Sequence, residues 1–80
     1  MYIEIYSKED CSHCIQAENI AQQVCQENDL HKYSKLMLNS DFSREELLEK
    51  FPTARTFPQI KIDGKAIGGV DNFIKYLQEL

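Results

Sequence analysis

The period of the hydrophobic pattern changes near the start of the chain, and this change constrains the fold most. The sequence MYIEIYS (1–7) alternates, with Ile3 and Ile5 on one side, which is typical of a short strand. From 14 to about 27 the apolar residues recur at helical spacing, at positions 17, 20, 21 and 24. A strand followed closely by an amphipathic helix predicts the first two elements of a β-α-β unit.

A second strand and a second helix are predicted next. YSKLMLN (33–39) is too apolar at its centre to be a loop, and it favours a strand. SDFSREELLEKF (40–51) favours a helix, because Ser43 followed by Glu46 forms a capping box. Its inward stripe is expected to contain Leu47, Leu48 and Phe51.

A β-hairpin is predicted in FPQIKIDGKAIGG (57–69). Asp63 and Gly64 form a turn dipeptide between two short apolar runs. A two-residue loop would set Lys65 opposite Ile62 and make the alternation imperfect, so a longer loop stays open as an alternative.

The tail VDNFIKYLQEL (70–80) predicts a third helix, capped by Asp71 or Asn72. Its inward residues are expected to be Phe73, Ile74, Leu77 and Leu80. The order is therefore β-α-β-α-β-β-α. We expect an α/β fold in one domain over 1–80, with a four-stranded mixed sheet and helices on both faces.

Charge and hydropathy exclude several classes of partner. The net charge of -4 argues against nucleic acid, because phosphate binding needs a basic face. No apolar run approaches the roughly 18 residues of a membrane span, so we expect no membrane association. The N-terminus does not resemble a signal peptide, and we expect a cytoplasmic protein, in the host cytoplasm if the chain comes from a phage. Permanent disulfides are rare in that compartment.

Two cysteines, Cys11 and Cys14, stand where the first strand gives way to the first helix. A helix N-terminus presents unpaired N–H groups and the positive end of the helix dipole, and these stabilise a thiolate. The pair therefore indicates redox chemistry, with Cys11 as the outer nucleophile and Cys14 as the more shielded resolving thiol. An inert buried pair is an alternative, although a polar turn is a poor place for one.

A zinc site is a further alternative, since Cys25 and His31 follow the pair. Cys25, however, lies about 16 Å along the helix from Cys14, because each residue adds roughly 1.5 Å. Redox chemistry is therefore favoured over zinc, and we expect no metal. Cys25 is expected to be a small buried residue and His31 a surface loop residue.

Three segments together resemble the glutaredoxin family: IYSKEDCSHC, TFPQIKIDG and IGGVDN, in the family's order and spacing. The resemblance extends over essentially the whole chain. It implies a thioredoxin-like fold and a glutathione-dependent thiol–disulfide oxidoreductase. Such an enzyme reduces protein disulfides and glutathione mixed disulfides, and ribonucleotide reductase is a substrate by family analogy. We expect a monomer.

The resemblance also implies roles for individual residues. Cys11 is the nucleophile and Cys14 the resolving cysteine, while Ser12 and His13 modulate the pair. Pro58 matches a cis-proline whose preceding backbone pairs with glutathione, and Gly68 belongs to the family's glycine pair. The expected glutathione-binding residues are Lys8, Arg55, Thr56, Phe57, Pro58, Gly69, Val70, Asp71 and Asn72.

Three departures from the family pattern lie in this predicted site. Ser12 and His13 replace a proline and a tyrosine between the cysteines. Our hypothesis is that His13, as a cation beside Cys11, lowers the pKa of that thiol and makes the disulfide more oxidising; a solvent-facing His13 without a role is the alternative. Asn72 replaces an acid that would pair with the glutathione amino group, which predicts weaker binding. Phe57 replaces a valine and adds bulk beside the groove.

Three rival functions remain open from the sequence. One is a redoxin fed by thioredoxin reductase that serves ribonucleotide reductase. Another is a glutaredoxin that holds an iron–sulfur cluster between two protomers, since Ser12 removes the proline that usually disfavours cluster binding. The third is a binding module in which the cysteines are inactive.

Overall fold

Seven elements follow one another along the chain, and the computed structural model describes all of residues 1–80. They are β1 (Tyr2–Ser7), α1 (Ser12–Glu27), β2 (Lys32–Met37), α2 (Arg44–Lys50), β3 (Gln59–Ile62), β4 (Lys65–Gly68) and α3 (Val70–Gln78). The predicted order β-α-β-α-β-β-α is confirmed. None of the three helices combines the length and apolar character that crossing a membrane requires.

The four strands form one mixed sheet in the order β2-β1-β3-β4. β1 and β2 are parallel, with Tyr2 opposite Lys32 and Ser7 opposite Met37. β3 runs antiparallel to both β1 and β4. The first half of the chain therefore forms the predicted parallel β-α-β unit, and the second half adds the predicted hairpin.

The hairpin has a two-residue turn, so the alternative of a longer loop is wrong. Asp63 and Gly64 have φ angles of 52° and 82°, as a tight primed turn requires. Lys65 does pair with Ile62, and the register then shifts between Ile60 and Lys61. This bulge places one extra residue, Ile67, in β4 and explains the imperfect alternation of the sequence.

Each face of β1 packs against a different hydrophobic cluster. One cluster lies between the sheet and the helices α1 and α3, and we call it the aliphatic cluster because all of its members except Phe73 are aliphatic. It consists of Ile3, Ile5, Ala17, Ala21, Ile60, Ile62, Val70 and Phe73. The aromatic cluster lies on the opposite face with α2, and it consists of Tyr6, Phe42, Leu47 and Phe51. Helices therefore cover both faces of the sheet, as predicted.

Several local predictions fail at the helix surfaces and ends. Leu48 is 43% exposed and Leu80 is 75% exposed, so neither belongs to an inward stripe. The N-cap of α3 is Gly69, without a side-chain hydrogen bond, so Asp71 and Asn72 are not caps. Leu80 lies beyond the end of α3, where no neighbouring element covers it. By contrast, the capping box at the start of α2 is confirmed.

Candidate active site

The two cysteines lie at the junction between β1 and α1. Three residues connect Ser7 to Cys11, and one of them, Asp10, has a φ of 54° in the left-handed region. Cys11 is the N-cap of α1, and its sulfur accepts a hydrogen bond from the backbone N–H of Cys14 over 3.1 Å. The helix thus begins two residues earlier than the hydrophobic pattern indicated, and the N–H of Cys14 in its first turn points at the Cys11 sulfur.

Cys11 and Cys14 form a disulfide, with their Cα atoms 5.2 Å apart. Cys14 is only 4% exposed, whereas Cys11 is half-buried. The expectation that the second cysteine is the shielded one is therefore confirmed. An attacking thiol from solvent can reach Cys11 more readily than Cys14, and this asymmetry suits an outer nucleophile and an inner resolving thiol.

A groove of about 350 Å³ opens beside the pair. The peptide bond between Phe57 and Pro58 is cis, as the family resemblance implied. Three segments meet in this groove: the first turn of α1, the loop before β3 and the start of α3. The lining residues are His13, Thr56, Phe57, Pro58, Gly69, Val70, Asp71 and Asn72.

A second open cavity, of about 450 Å³, borders Cys11 and carries a basic rim of Lys8, Arg44 and Arg55. The Lys8 Nζ lies 5.7 Å from the centre of the Phe57 ring, a cation–π contact. Phe57 in turn stacks on Phe42 of the aromatic cluster, with ring centres 6.5 Å apart. The cationic rim is therefore local, although the whole chain is acidic.

Arg44 was not among the predicted site residues, and it lies on the basic rim. A signal for it did exist in the sequence. Arg44 is the first residue of α2, where the helix dipole disfavours a cation, and the two residues that follow it are acidic. A cation at that position is unexpected for helix stability alone.

The turn into α3 depends on Gly68 and Asn72. Gly68 has a φ of 118°, a conformation that side chains rarely adopt, and a Cβ there would overlap the Asn72 amide. The Asn72 Nδ2 donates a hydrogen bond to the carbonyl oxygen of Ile67 over 3.2 Å. Gly69 has a different role from Gly68, since it is the N-cap that opens the helix towards the groove.

Tyr6 lies behind the site, on the aromatic face of the sheet. It makes edge-to-face contacts with Phe42 and Phe51 at ring-centre distances of 5.1 and 5.3 Å. Burial, with a smaller contribution from the carboxylate of Glu4, raises the pKa of Tyr6 above its ordinary value.

The remaining zinc candidates lie away from the pair. α1 is continuous from Ser12 to Glu27, so Cys25 lies about 16 Å from Cys14 along its axis. Cys25 is a free, half-buried thiol, less enclosed than predicted. The Nδ1 of His31 lies 2.8 Å from the N-terminal nitrogen of Met1, so His31 is engaged at the far end of the sheet.

Comparison with known proteins decides the family. The sequence profile of the glutaredoxin family matches residues 3–67, which includes the cysteine pair, the cis-proline and the turn of the hairpin. The chain is a member of the glutaredoxin family. It is therefore a thiol–disulfide oxidoreductase, and the Cys11–Cys14 pair is its redox centre.

Curated relatives support this assignment along the full chain. Glutaredoxin of Haemophilus influenzae is 30% identical over 99% of this chain and 93% of the relative. Glutaredoxin 1 of Escherichia coli (strain K12) is 27% identical, and the match covers 99% of this chain and 95% of the relative.

Solved glutaredoxin structures have the same architecture. The NMR structure of oxidised Escherichia coli glutaredoxin matches with a TM-score of 0.85 at 27% identity, over 99% of this chain and 95% of the other. A buckwheat glutaredoxin in complex with glutathione matches with a TM-score of 0.76 at 23% identity, over 96% and 68% of the two chains. The thioredoxin-like fold implied by the sequence is thus confirmed.

Proposed function

We propose that this glutaredoxin uses glutathione to reduce protein disulfides and glutathione mixed disulfides, with Cys11 as nucleophile and Cys14 as resolving thiol. One observation carries the proposal. The half-buried Cys11 lines the cavity that carries the basic rim, and its neighbour His13 lines both that cavity and the groove, while Cys14 is only 4% exposed. A reductant such as glutathione, itself part of the family's chemistry, would then meet only the outer sulfur.

The proposed reaction proceeds by thiol–disulfide exchange. The Cys11 thiolate attacks one sulfur of the substrate disulfide, the substrate S–S bond breaks, and its electron pair leaves with the other sulfur as a thiolate. The resulting mixed disulfide on Cys11 is resolved by attack of glutathione or of Cys14. In the second route, two glutathione molecules then reduce the Cys11–Cys14 disulfide and become oxidised glutathione.

The groove fits a small peptide with a carboxylate at one end. The first N–H groups of α3, at Val70, Asp71 and Asn72, have no partner within the helix, because helical bonding begins with Phe73 and Gly69. A γ-glutamyl carboxylate is favoured at such a helix end. On the other wall, the backbone before the cis-proline is the proposed partner for the cysteine of glutathione.

The basic rim fits the second carboxylate of glutathione. Lys8 and Arg55 border the Cys11 cavity, and we extend the proposed glutathione-binding set by Arg44. None of these three side chains forms an ion pair within the chain, whose single salt bridge joins Lys35 and Glu18. Their charges are therefore available to an anionic ligand.

His13 is exposed and lines both the groove and the basic cavity. This placement supports the hypothesis that His13 lowers the pKa of the reduced Cys11 thiol. We expect His13→Tyr to raise the pKa of Cys11, measured from the ultraviolet absorbance of the thiolate in a Cys14→Ser background. An unchanged pKa of Cys11 would reject the hypothesis.

A glutathione-coupled assay on wild type, Cys11→Ser and Cys14→Ser tests the proposed function. We expect Cys11→Ser to lose all activity, whereas Cys14→Ser keeps the reduction of glutathione mixed disulfides. Cys25→Ala is the matched control and should retain wild-type rates. Activity in Cys11→Ser would remove Cys11 as nucleophile, and dependence on thioredoxin reductase instead of glutathione would favour the rival redoxin.

The proposal also covers the domain organisation, oligomeric state, compartment and protein substrate. We propose one glutaredoxin domain over 1–80 that acts as a monomer in a reducing cytoplasm, with ribonucleotide reductase among its substrates by family analogy. The near-complete coverage of curated relatives supports the domain assignment. To test the substrate, the protein is reduced with glutathione and mixed with oxidised ribonucleotide reductase, and the return of nucleotide reduction is measured. Sedimentation of the reduced protein tests the monomer.

A further inference from the structure

Ser7, the last residue of β1, has a buried hydroxyl without a partner. The residue is 1% exposed, and its Oγ makes no hydrogen bond in the disulfide form of the protein. Buried hydroxyls are nearly always hydrogen-bonded, because an unpaired one loses its interactions with water without replacement. The sequence motifs and the proposed reaction assign no role to this group.

The fold places Ser7 on the same side of the sheet as the inner sulfur. Ser7 follows Ile3 and Ile5 on the face of β1 that packs against α1, since side chains of a strand alternate. The buried positions of α1 are Cys14, Ala17 and Ala21. α1 connects the parallel strands β1 and β2, so it runs back along β1 in the opposite direction. Its first buried residue, Cys14, therefore lies near Ser7, at the C-terminal end of β1.

A cavity joins the two residues. Ser7 and Cys14 both line a space of about 170 Å³, which shares no residue with the groove of α3. The charged groups that line it come from the β1–α1 junction, from α1 and from β2, and they are Lys8, Glu9, Asp10, Glu18 and Lys35. Glu18 and Lys35 form an ion pair with each other at 3.4 Å, which leaves Lys8 as the one unpaired cation at this cavity.

The redox reaction develops negative charge on the sulfur of Cys14. When an external thiolate attacks the Cys11 sulfur, a new S–S bond forms there and the Cys11–Cys14 bond breaks. The electron pair of the broken bond goes to the Cys14 sulfur, which becomes a thiolate in a buried position. In the reverse direction the same thiolate must form before Cys14 can attack a mixed disulfide on Cys11. A disulfide sulfur is a weak acceptor, whereas a thiolate is a strong one.

We propose that the Ser7 hydroxyl donates a hydrogen bond to the Cys14 sulfur when the pair is reduced. Ser7 is thus unpaired in the disulfide form and satisfied in the dithiol form, which favours reduction of the pair. The inference rests on the redox role of the cysteines and does not require glutathione. Attack of Cys11 on a substrate does not involve Ser7, so the group serves only the steps in which Cys14 takes part.

The equilibrium of the pair with reduced and oxidised dithiothreitol tests this inference without glutathione. We expect Ser7→Ala to shift the equilibrium about tenfold toward the protein disulfide, a potential lower by about 30 mV. Ser7→Thr keeps the hydroxyl and should stay within about twofold of wild type. Ser34→Ala is the matched control, because Ser34 is a half-buried serine of β2 whose hydroxyl pairs with Tyr2 away from the cysteines.

A titration of the inner thiol provides a readout that a merely structural serine would not change. In a Cys11→Ser, Cys25→Ala background, Cys14 is the single thiol, and Ser7→Ala should raise its pKa while Ser34→Ala should not. The proposal is overturned if Ser7→Ala leaves both the equilibrium and the pKa of Cys14 at their wild-type values. It is equally overturned if Ser7→Thr shifts them as far as Ser7→Ala does, because the hydroxyl would then not be the cause.

Discussion

The two faces of β1 support different parts of the redox site. On the aliphatic face, Ile3 and Ile5 lead to Ser7, and α1 packs there with Cys14 inward. On the aromatic face, Tyr6 contacts Phe42, which stacks on Phe57 of the cis-proline loop. One strand thus positions the inner sulfur with one face and the substrate loop with the other.

Substitutions in the two clusters should therefore have different effects. The aliphatic cluster contains the most enclosed side chains and joins α1 and α3 to the sheet, so changes there act first on stability. The aromatic cluster is smaller and continues to the rim through Phe57, with Lys8 placed over its ring. Changes there should act on substrate binding as well as on stability.

The largest effect is expected from Phe73→Ala in the aliphatic cluster. Phe73 is fully buried, and truncation of such a side chain costs about 3–5 kcal/mol through lost burial and a cavity. Urea unfolding measures this change in the free energy of unfolding. Leu80→Ala is the control, since Leu80 is 75% exposed and its truncation should change stability by less than about 0.5 kcal/mol. Equal losses of unfolding free energy in both variants would contradict the burial of Phe73 in the core.

An intermediate effect is expected from Phe42→Leu in the aromatic cluster. The loss of two aromatic contacts should lower the free energy of unfolding by about 1–3 kcal/mol. Because Phe42 supports Phe57, the KM for a glutathione mixed disulfide should rise severalfold with little change in kcat. Phe51→Leu is the matched control, since Phe51 contacts Tyr6 and makes no stacking contact with Phe57. A rise in KM of the same size in Phe51→Leu would show that the support of Phe57 is not the cause.

A smaller effect is expected from Lys8→Met at the rim. The variant keeps the apolar stem but loses the charge over the Phe57 ring and the proposed contact with a glutathione carboxylate. We expect the KM to rise about two- to fivefold and to depend less on salt than in wild type. Lys65→Met, on the exposed hairpin, should leave steady-state kinetics unchanged. An unchanged KM in Lys8→Met would show that Lys8 is not part of the glutathione-binding site.

The smallest effect is expected from Tyr6→Phe and appears at high pH. The pKa of Tyr6 is raised in the folded protein, so its neutral form is the one that folding favours. Its contribution to stability is complete below the unfolded value of about 10 and is lost as pH rises through the raised folded value. Wild type should therefore lose more stability than Tyr6→Phe between pH 9 and pH 11, measured by urea unfolding at each pH. Parallel losses in the two proteins would contradict this role of Tyr6.

Local signals in the sequence predicted the elements well. The change of period after Ser7, the capping box of Ser43 and Glu46, and the Asp63-Gly64 dipeptide each act within a few residues, and each element is present. The errors about burial arose where a distant neighbour decides the outcome. Leu48 is the next residue to the buried Leu47 in α2, but no element covers it.

The candidate site shows the same division. The cysteine pair and its place at a helix start followed from the sequence, because spacing and helix polarity are local properties. Arg44 was missed because its place beside Cys11 depends on how α2 packs against the sheet. Ser7 was missed because one buried serine in a strand carries no pattern of its own.

The sequence by itself determined the order of elements, the redox pair and the family, since these depend on residue types at short spacing. Only the tertiary structure decided which residues cover each face of β1 and which side chains meet at the rim. The physical reason is that burial and the meeting of distant groups depend on which elements pack together. A local pattern shows which way a side chain points along its own element, but it does not show what covers that side chain.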